Sequence, residues 1–209
     1  KTNIAYNCLD VHIKTPRRNK LALLWEGEDG EFRSYSYFKL HRETCRFSNV
    51  LKSLGVKKGD RVVAFISNIP EAVITMLGAT SVGAIWSSTS PDFGIQGVID
   101  RFGQIKPKIF LAIKSYYYNG KHIDCTDKIR SIVEKISSIE KIILVDEYND
   151  FTESKSIDIN IPNSINYKEL IDNTSDQIAF EQTDFDHPVL GIINLYQPRD
   201  RVSFIMDNL

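Results

Sequence analysis

Apolar positions along the chain change their spacing in a regular way. Residues 21–25 are apolar, Glu28-Asp29-Gly30-Glu31 supplies turn chemistry, and residues 32–37 alternate aromatic with polar, the pattern of a β-hairpin. Leu40, Thr44, Phe47, Leu51 and Leu54 then follow at spacings of 4, 3, 4 and 3 and line one helical face. Ser36 stands where an N-cap belongs, and Gly55 where a left-handed residue would stop the helix. Beyond the turn at Lys57-Lys58-Gly59-Asp60 the chain enters an apolar strand, residues 61–66. From there strand and helix alternate: a helix from Pro70 to about Val82 with Val73, Leu77 and Thr80 on one side, and a strand at 84–87. Ile95, Val98, Ile99 and Phe102 mark a helix ended by Lys106-Pro107, ahead of a strand at 109–112. Ile129, Ile132, Val133 and Ile136 mark a third helix before a strand at 142–145.

This alternation implies right-handed crossovers and an α/β fold, a parallel sheet flanked by helices on both faces and preceded by the hairpin. After Asp146 the signal decays. Residues 147–161 are polar and rich in Asn, Asp and Ser, a long surface loop, and residues 167–171 have the makings of a short helix. Residues 189–195 are apolar, the last dozen show no clear period, and no internal repeat is present.

Composition narrows the class. With 42% hydrophobic and 25% charged residues, 11 Gly and 7 Pro, the chain is neither collagenous nor low-complexity. A net charge of −1 carries no basic field, so no nucleic-acid partner is expected. No apolar run approaches the ~20 residues of a membrane helix, so no membrane partner is expected either. Cys8, Cys45 and Cys125 form no CxxC pair, which argues against zinc or a disulfide framework and for a reducing, cytoplasmic setting.

In open parallel sheets ligands bind beyond the carboxyl ends of the strands. Two such segments stand out. Trp86-Ser87-Ser88-Thr89-Ser90-Pro91-Asp92-Phe93-Gly94 either lines a polar pocket or caps the next helix as a hydroxyl-rich turn. Ser115-Tyr116-Tyr117-Tyr118-Asn119-Gly120-Lys121 either stacks a base and meets a phosphate or is a solvated turn. His12, His41, His122 and His187 have no ligand spacing, and Asp124 and Asp127 read as helix-start residues. Cys45 lies off the apolar stripe of its helix and has no evident His or Asn partner, so it reads as structural. GxxxxGK[ST], GxGxxG and GxSxG are all absent, and the only Gly after Gly120 is Gly191. No catalytic centre and no metal site emerge from the residues themselves.

The run from Gly83 through Gly94, with Asp100-Arg101-Phe102 and Gln104-Ile105-x-Pro107-Lys108, resembles the acetoacetyl-CoA synthetases, members of the acyl-adenylate-forming, AMP-binding superfamily. Tyr118-Asn119-Gly120-Lys121, Ile161-Pro162-Asn163-Ser164, Phe180-Glu181-Gln182 and Phe185-x-His187-Pro188 are similar to the same enzymes. Ala5 to Asp10, Leu24-Trp25-Glu26-Gly27 and Gly55 to Val62 resemble short-chain acyl-CoA synthetases generally. The resemblance implies part of a large N-terminal domain over residues 1–188, with 189–209 a divergent tail and the C-terminal domain absent. It implies a ligase that joins acetoacetate to CoA through an acyl adenylate, using ATP, Mg2+ and CoA. By that resemblance Tyr118, Asn119, Gly120 and Lys121 would bind the 3′-phosphate end of CoA, and Trp86, Ser87, Asp92 and Phe93 would border the acyl and pantetheine pocket.

One departure is plain. Where those enzymes carry a Ser/Thr/Gly-rich loop that grips the ATP phosphates, this chain continues Val189-Leu190-Gly191-Ile192-Ile193-Asn194. The expectation is therefore a partial ligase, inactive alone. The alternatives are an acetyl- or propionyl-CoA synthetase fragment, and a catalytically silent binding fragment.

Overall fold

The computed structural model describes residues 1–28, 30–146, 161–172, 174–192 and 203–205. Asp29 of the expected turn, most of the expected loop (147–160), and residues 193–202 and 206–209 lie outside the described residues.

A π-helical turn, Tyr6–Asp10, runs into α1 (Val11–Ile13) and a 3-10 turn at Pro16–Asn19. β1 (Leu21–Glu26) and β2 (Phe32–Ser36) form the antiparallel hairpin read from the sequence. α2 (Tyr37–Ser53) starts where the Ser36 hydroxyl accepts the Lys39 N–H at 3.2 Å. It ends on Gly55 at φ +74°, whose N–H donates to the Lys52 carbonyl while Val56 N–H donates to that of Leu51. That pair of bonds closes the helix through a residue only glycine adopts without strain.

β3 (Arg61–Phe65), α3 (Pro70–Ser81), β4 (Ile85–Thr89), α4 (Ile95–Ile105) and β5 (Ile109–Ile113) follow. Then come β6 (Ser115–Tyr118), β7 (Lys121–Asp124), α5 (Thr126–Lys135), β8 (Lys141–Val145), β9 (Ser164–Asn166), α6 (Tyr167–Asp172), β10 (Leu190–Ile192) and β11 (Ser203–Ile205). The main sheet runs β11-β10-β4-β3-β5-β8-β9, with six parallel strands and β11 antiparallel on the β10 edge.

The central strands are apolar throughout because both faces are covered: Val62 to Phe65 and Ile109 to Ile113 are wholly buried. Phe47, Phe65, Phe102 and Phe110 are fully enclosed, each contributing about 1.5–3 kcal/mol by leaving water. α3 is buried over most of its circumference, with Ile74, Gly78, Ala79 and Ser81 as enclosed as Leu77, so the single face expected from Val73, Leu77 and Thr80 understates it. At the end of α4, Lys106 adopts φ +48°, and the Arg61 guanidinium donates to the carbonyls of Ile105 and Lys106, both at 2.7 Å. A cation thus satisfies the last turn of a helix whose carbonyls would otherwise be exposed.

The two outer segments of the described chain are stitched together. Thr2 and Thr183 exchange both backbone hydrogen bonds at 2.9 Å. The buried Asn3 amide donates to the carbonyls of Thr80, Ser81 and Glu181.

Candidate functional site

The segment after β5 carries the solvated turn, one of its two readings, set between two short strands. Ser115–Tyr118 and Lys121–Asp124 pair as a second antiparallel hairpin, and Tyr118 faces Lys121 across its turn. Asn119 at φ +51° and Gly120 at φ +69° make the mirror-image turn that suits the twist of two strands, for which Asn-Gly is the favoured sequence. Tyr118, Asn119, Gly120 and Lys121 are all exposed there. Asp124 accepts the Thr126 N–H at 2.7 Å, the helix-start role read from the sequence.

β4 carries Trp86 and Ser87 inward. The Ser87 hydroxyl donates to the Gly191 carbonyl at 2.7 Å and the Trp86 N–H to the Val189 carbonyl at 2.9 Å, so both residues fasten β10 to β4. The turn that follows is held from three sides. Ser90 Oγ donates to Asp92 Oδ2 at 2.9 Å, the Tyr116 phenol donates to Asp92 Oδ1 at 2.7 Å, and Lys128 Nζ donates to the Pro91 carbonyl at 2.8 Å. The Tyr116 and Ser90 hydroxyls hold the Asp92 carboxyl below the usual carboxylate range. Enclosure, and then the facing carboxylate, push the Tyr116 phenol well up. Phe93 is stacked under Arg101, with 4.4 Å from the guanidinium carbon to the ring centre.

This braced turn separates two clefts. One, about 320 Å³, lies beyond the ends of β3 and β4 and is lined by Trp25, Glu28, Asn68, Asp92, Tyr116 and Tyr118 among others. The other, about 330 Å³, is lined by Trp86, Ser87, Ser88, Phe93, Arg101 and Gly191 among others. Ser90 faces both. The structure therefore divides the expected residues: Tyr118 and Asp92 share the first cleft, and Trp86, Ser87 and Phe93 the second. Asn119, Gly120 and Lys121 sit at the hairpin tip, where Gly120 N–H meets Glu28 of the first cleft at 3.3 Å.

Sequence reading missed the β1–β2 hairpin as a wall of the site. Trp25 donates through Nε1 to the Asn68 carbonyl at 2.7 Å, and Arg33 lies over its ring at 4.3 Å while pairing with Glu71 at 2.8 Å. With Glu26, Glu28, Glu31 and Asp92 this cleft is acidic at its rim.

Cys45 does have a histidine neighbour, contrary to expectation. His41, one helical turn earlier, places both ring nitrogens 3.7 Å from Sγ, and its Nε2 lies 3.1 Å from Asp10 Oδ1. Burial, and then Asp10, push the thiol up to about 12. At neutral pH it is an inert core thiol, which keeps the structural reading.

Among the described residues no three His, Cys, Asp or Glu side chains converge as metal ligands. Nor is any described helix long and apolar enough to cross a membrane.

The AMP-binding enzyme family matches residues 10–182. An acetoacetyl-CoA synthetase of Macaca fascicularis is 38% identical over 194 residues, 90% of this chain and 28% of that protein. The acetoacetyl-coenzyme A synthetase of Rhizobium meliloti is 43% identical over 122 residues, 58% of this chain and 19% of that protein. Among solved structures, the acetoacetyl-CoA synthetase from Streptomyces lividans superposes with a TM-score of 0.78 at 28% identity, covering 91% of this chain and 28% of that one. The chain thus spans little more than a quarter of the length of such relatives.

Proposed function

We propose that this chain, which belongs to the AMP-binding enzyme family, forms the coenzyme-facing part of an acetoacetate–CoA ligase. In that reaction a carboxylate oxygen of acetoacetate attacks the α-phosphorus of ATP and expels diphosphate, leaving an acyl adenylate. The thiolate of CoA then attacks the acyl carbon and expels AMP. These 209 residues carry no glycine-rich phosphate loop, so the first step is not assigned to them. No described cluster suits Mg2+, and no step is routed through it here.

The observation that carries the reading is the pair of clefts sharing one braced turn. Trp25 and the exposed Tyr118 offer flat faces for an adenine, and Lys121 at the hairpin tip offers an ammonium to the 3′-phosphate. The hydroxyl-rich second cleft, beside Trp86 and Phe93, then takes the pantetheine arm and acyl group, with Ser90 and Asp92 at the passage between. Ser87, in the wall of that cleft, also holds β10 in place.

Calorimetric titration of the 209-residue chain with CoA and with dephospho-CoA, which lacks the 3′-phosphate, tests this. CoA is expected to bind about 5-fold tighter, a partly screened charged contact, and Lys121→Ala to erase most of that preference. Equal binding of the two, or a preference that survives in Lys121→Ala, would move the phosphate elsewhere.

A further inference from the structure

We propose that Glu28 is a built-in competitor for the phosphate at the tip of the β6–β7 hairpin, occupying its seat until the nucleotide displaces it. This rests on the reading above, which places the 3′-phosphate beside Lys121.

The seat itself is defined by the turn. Because the ladder closes between Tyr118 and Lys121, the Gly120 N–H is left outside it. A backbone N–H with an ammonium on the next residue is a donor set suited to an oxyanion. It is already taken by one: Oε2 of Glu28, 92 residues earlier in the chain, accepts the Gly120 N–H at 3.3 Å. The carboxylate stands in for a phosphate oxygen.

The contact has the properties of a placeholder. It is long, solvent-exposed and made to a neutral donor, so it holds weakly and exchanges readily. Two other acids of this cleft, Asp92 and Glu31, are differently engaged. Asp92 is bonded by Tyr116 and Ser90, and Glu31 faces Arg33. A phosphate dianion reaching Lys121 must therefore push Glu28 aside or sit against a like charge. A bare phosphate gains too little to do so. A nucleotide that also stacks its base on the aromatic wall recovers the cost, so the contact works as a filter for ligands that carry both groups.

The test is calorimetric titration of the 209-residue chain with adenosine 3′,5′-bisphosphate at fixed ionic strength. Glu28→Gln is expected to bind about 3- to 10-fold tighter than the unmodified chain, because the like charge is removed and only a neutral amide oxygen is left to accept the Gly120 N–H. Glu28→Asp keeps the charge but withdraws it by one methylene, and is expected to bind at least about 2-fold tighter. Both substitutions fall at one exposed turn residue, so folding is not at stake. Unchanged or weaker binding by Glu28→Gln, with the unmodified chain still binding, overturns the competitor and spares the nucleotide site. A gain in Glu28→Gln but none in Glu28→Asp overturns it too, since the effect would then be the general field of the rim. Binding by neither the unmodified chain nor Glu28→Gln overturns both readings.

Discussion

At Gly78 α3 packs directly on Phe47 of α2, and replacing the glycine with alanine sets two opposing effects against each other. In a helix interior, Gly to Ala ordinarily stabilises by about 1 kcal/mol, because alanine has less backbone freedom to lose. Here the new Cβ would stand 2.6 Å from Cδ1 and 3.3 Å from Cβ of Phe47, where ordinary contact begins at 3.4 Å. The ring would have to retreat by about 0.8 Å, the difference between 3.4 and 2.6 Å. It has nowhere to go: Phe47 is fully enclosed and its ring packs on Tyr167, centre to centre at 5.9 Å. Overpacking of this kind costs about 1–3 kcal/mol. Over most of that range the clash outweighs the gain, leaving a net loss of up to about 2 kcal/mol, or a fall in Tm of up to about 4–8 °C for a chain of this size.

Gly103 provides the comparison. It lies exposed on α4 with nothing within 4 Å of its added Cβ, so Gly103→Ala should gain about 0.5–1 kcal/mol. Urea melts followed by circular dichroism read both variants. In a Phe47→Leu background the Gly78→Ala penalty should shrink, because the obstructing ring is gone. A Gly78→Ala variant as stable as Gly103→Ala would refute the assignment of Gly78 to close helix approach.

Two further outcomes concern chemistry and pH. ATP–pyrophosphate exchange with acetoacetate by the 209-residue chain should stay at background, and measurable exchange would show that adenylation needs no glycine-rich phosphate loop. The Asp92 carboxyl, held low by Tyr116 and Ser90, contributes stability that is present above about pH 4, where the unfolded carboxyl is ionised, and lost as pH falls through its folded value. The Tyr116 phenol, held high, contributes stability that is present below about pH 10 and lost as pH rises through its folded value. Tyr116→Phe removes the shared hydrogen bond, so its deficit against the unmodified chain in urea melts should be constant from pH 6 to 8 and narrow toward both extremes; a pH-independent deficit would contradict the bond.

The alternating strands and helices were legible because each follows a rule local to a few residues. Val62 to Phe65 and Ile109 to Ile113 are uninterrupted apolar runs, and Leu40 to Leu54 keeps a helical spacing. The β6–β7 turn was legible as a solvated turn, while the two strands flanking Asn119-Gly120 were not read, although that dipeptide between strand-forming residues signals a tight hairpin. His41 and Cys45 stand four apart on a helix, a spacing that guarantees proximity. What no local pattern carries is the acidic rim. Glu28 reaches Gly120 only because the first hairpin docks beside the end of β3, where Trp25 bonds the Asn68 carbonyl, a consequence of packing rather than of spacing. β9, three half-buried residues long, has no signature of its own.

The bond pair between Thr2 and Thr183 has a consequence for synthesis. A chain emerging from the ribosome offers its first residues long before their partners exist, and domains ordinarily consolidate from the amino end as they appear. Here the amide that caps the exit of α3 from the amino side, Asn3, also needs the carbonyl of Glu181. The nascent β3–α3–β4 unit must therefore wait with that flank unsealed, and the stitch joins residues 181 positions apart, an order of events that favours slow, late consolidation.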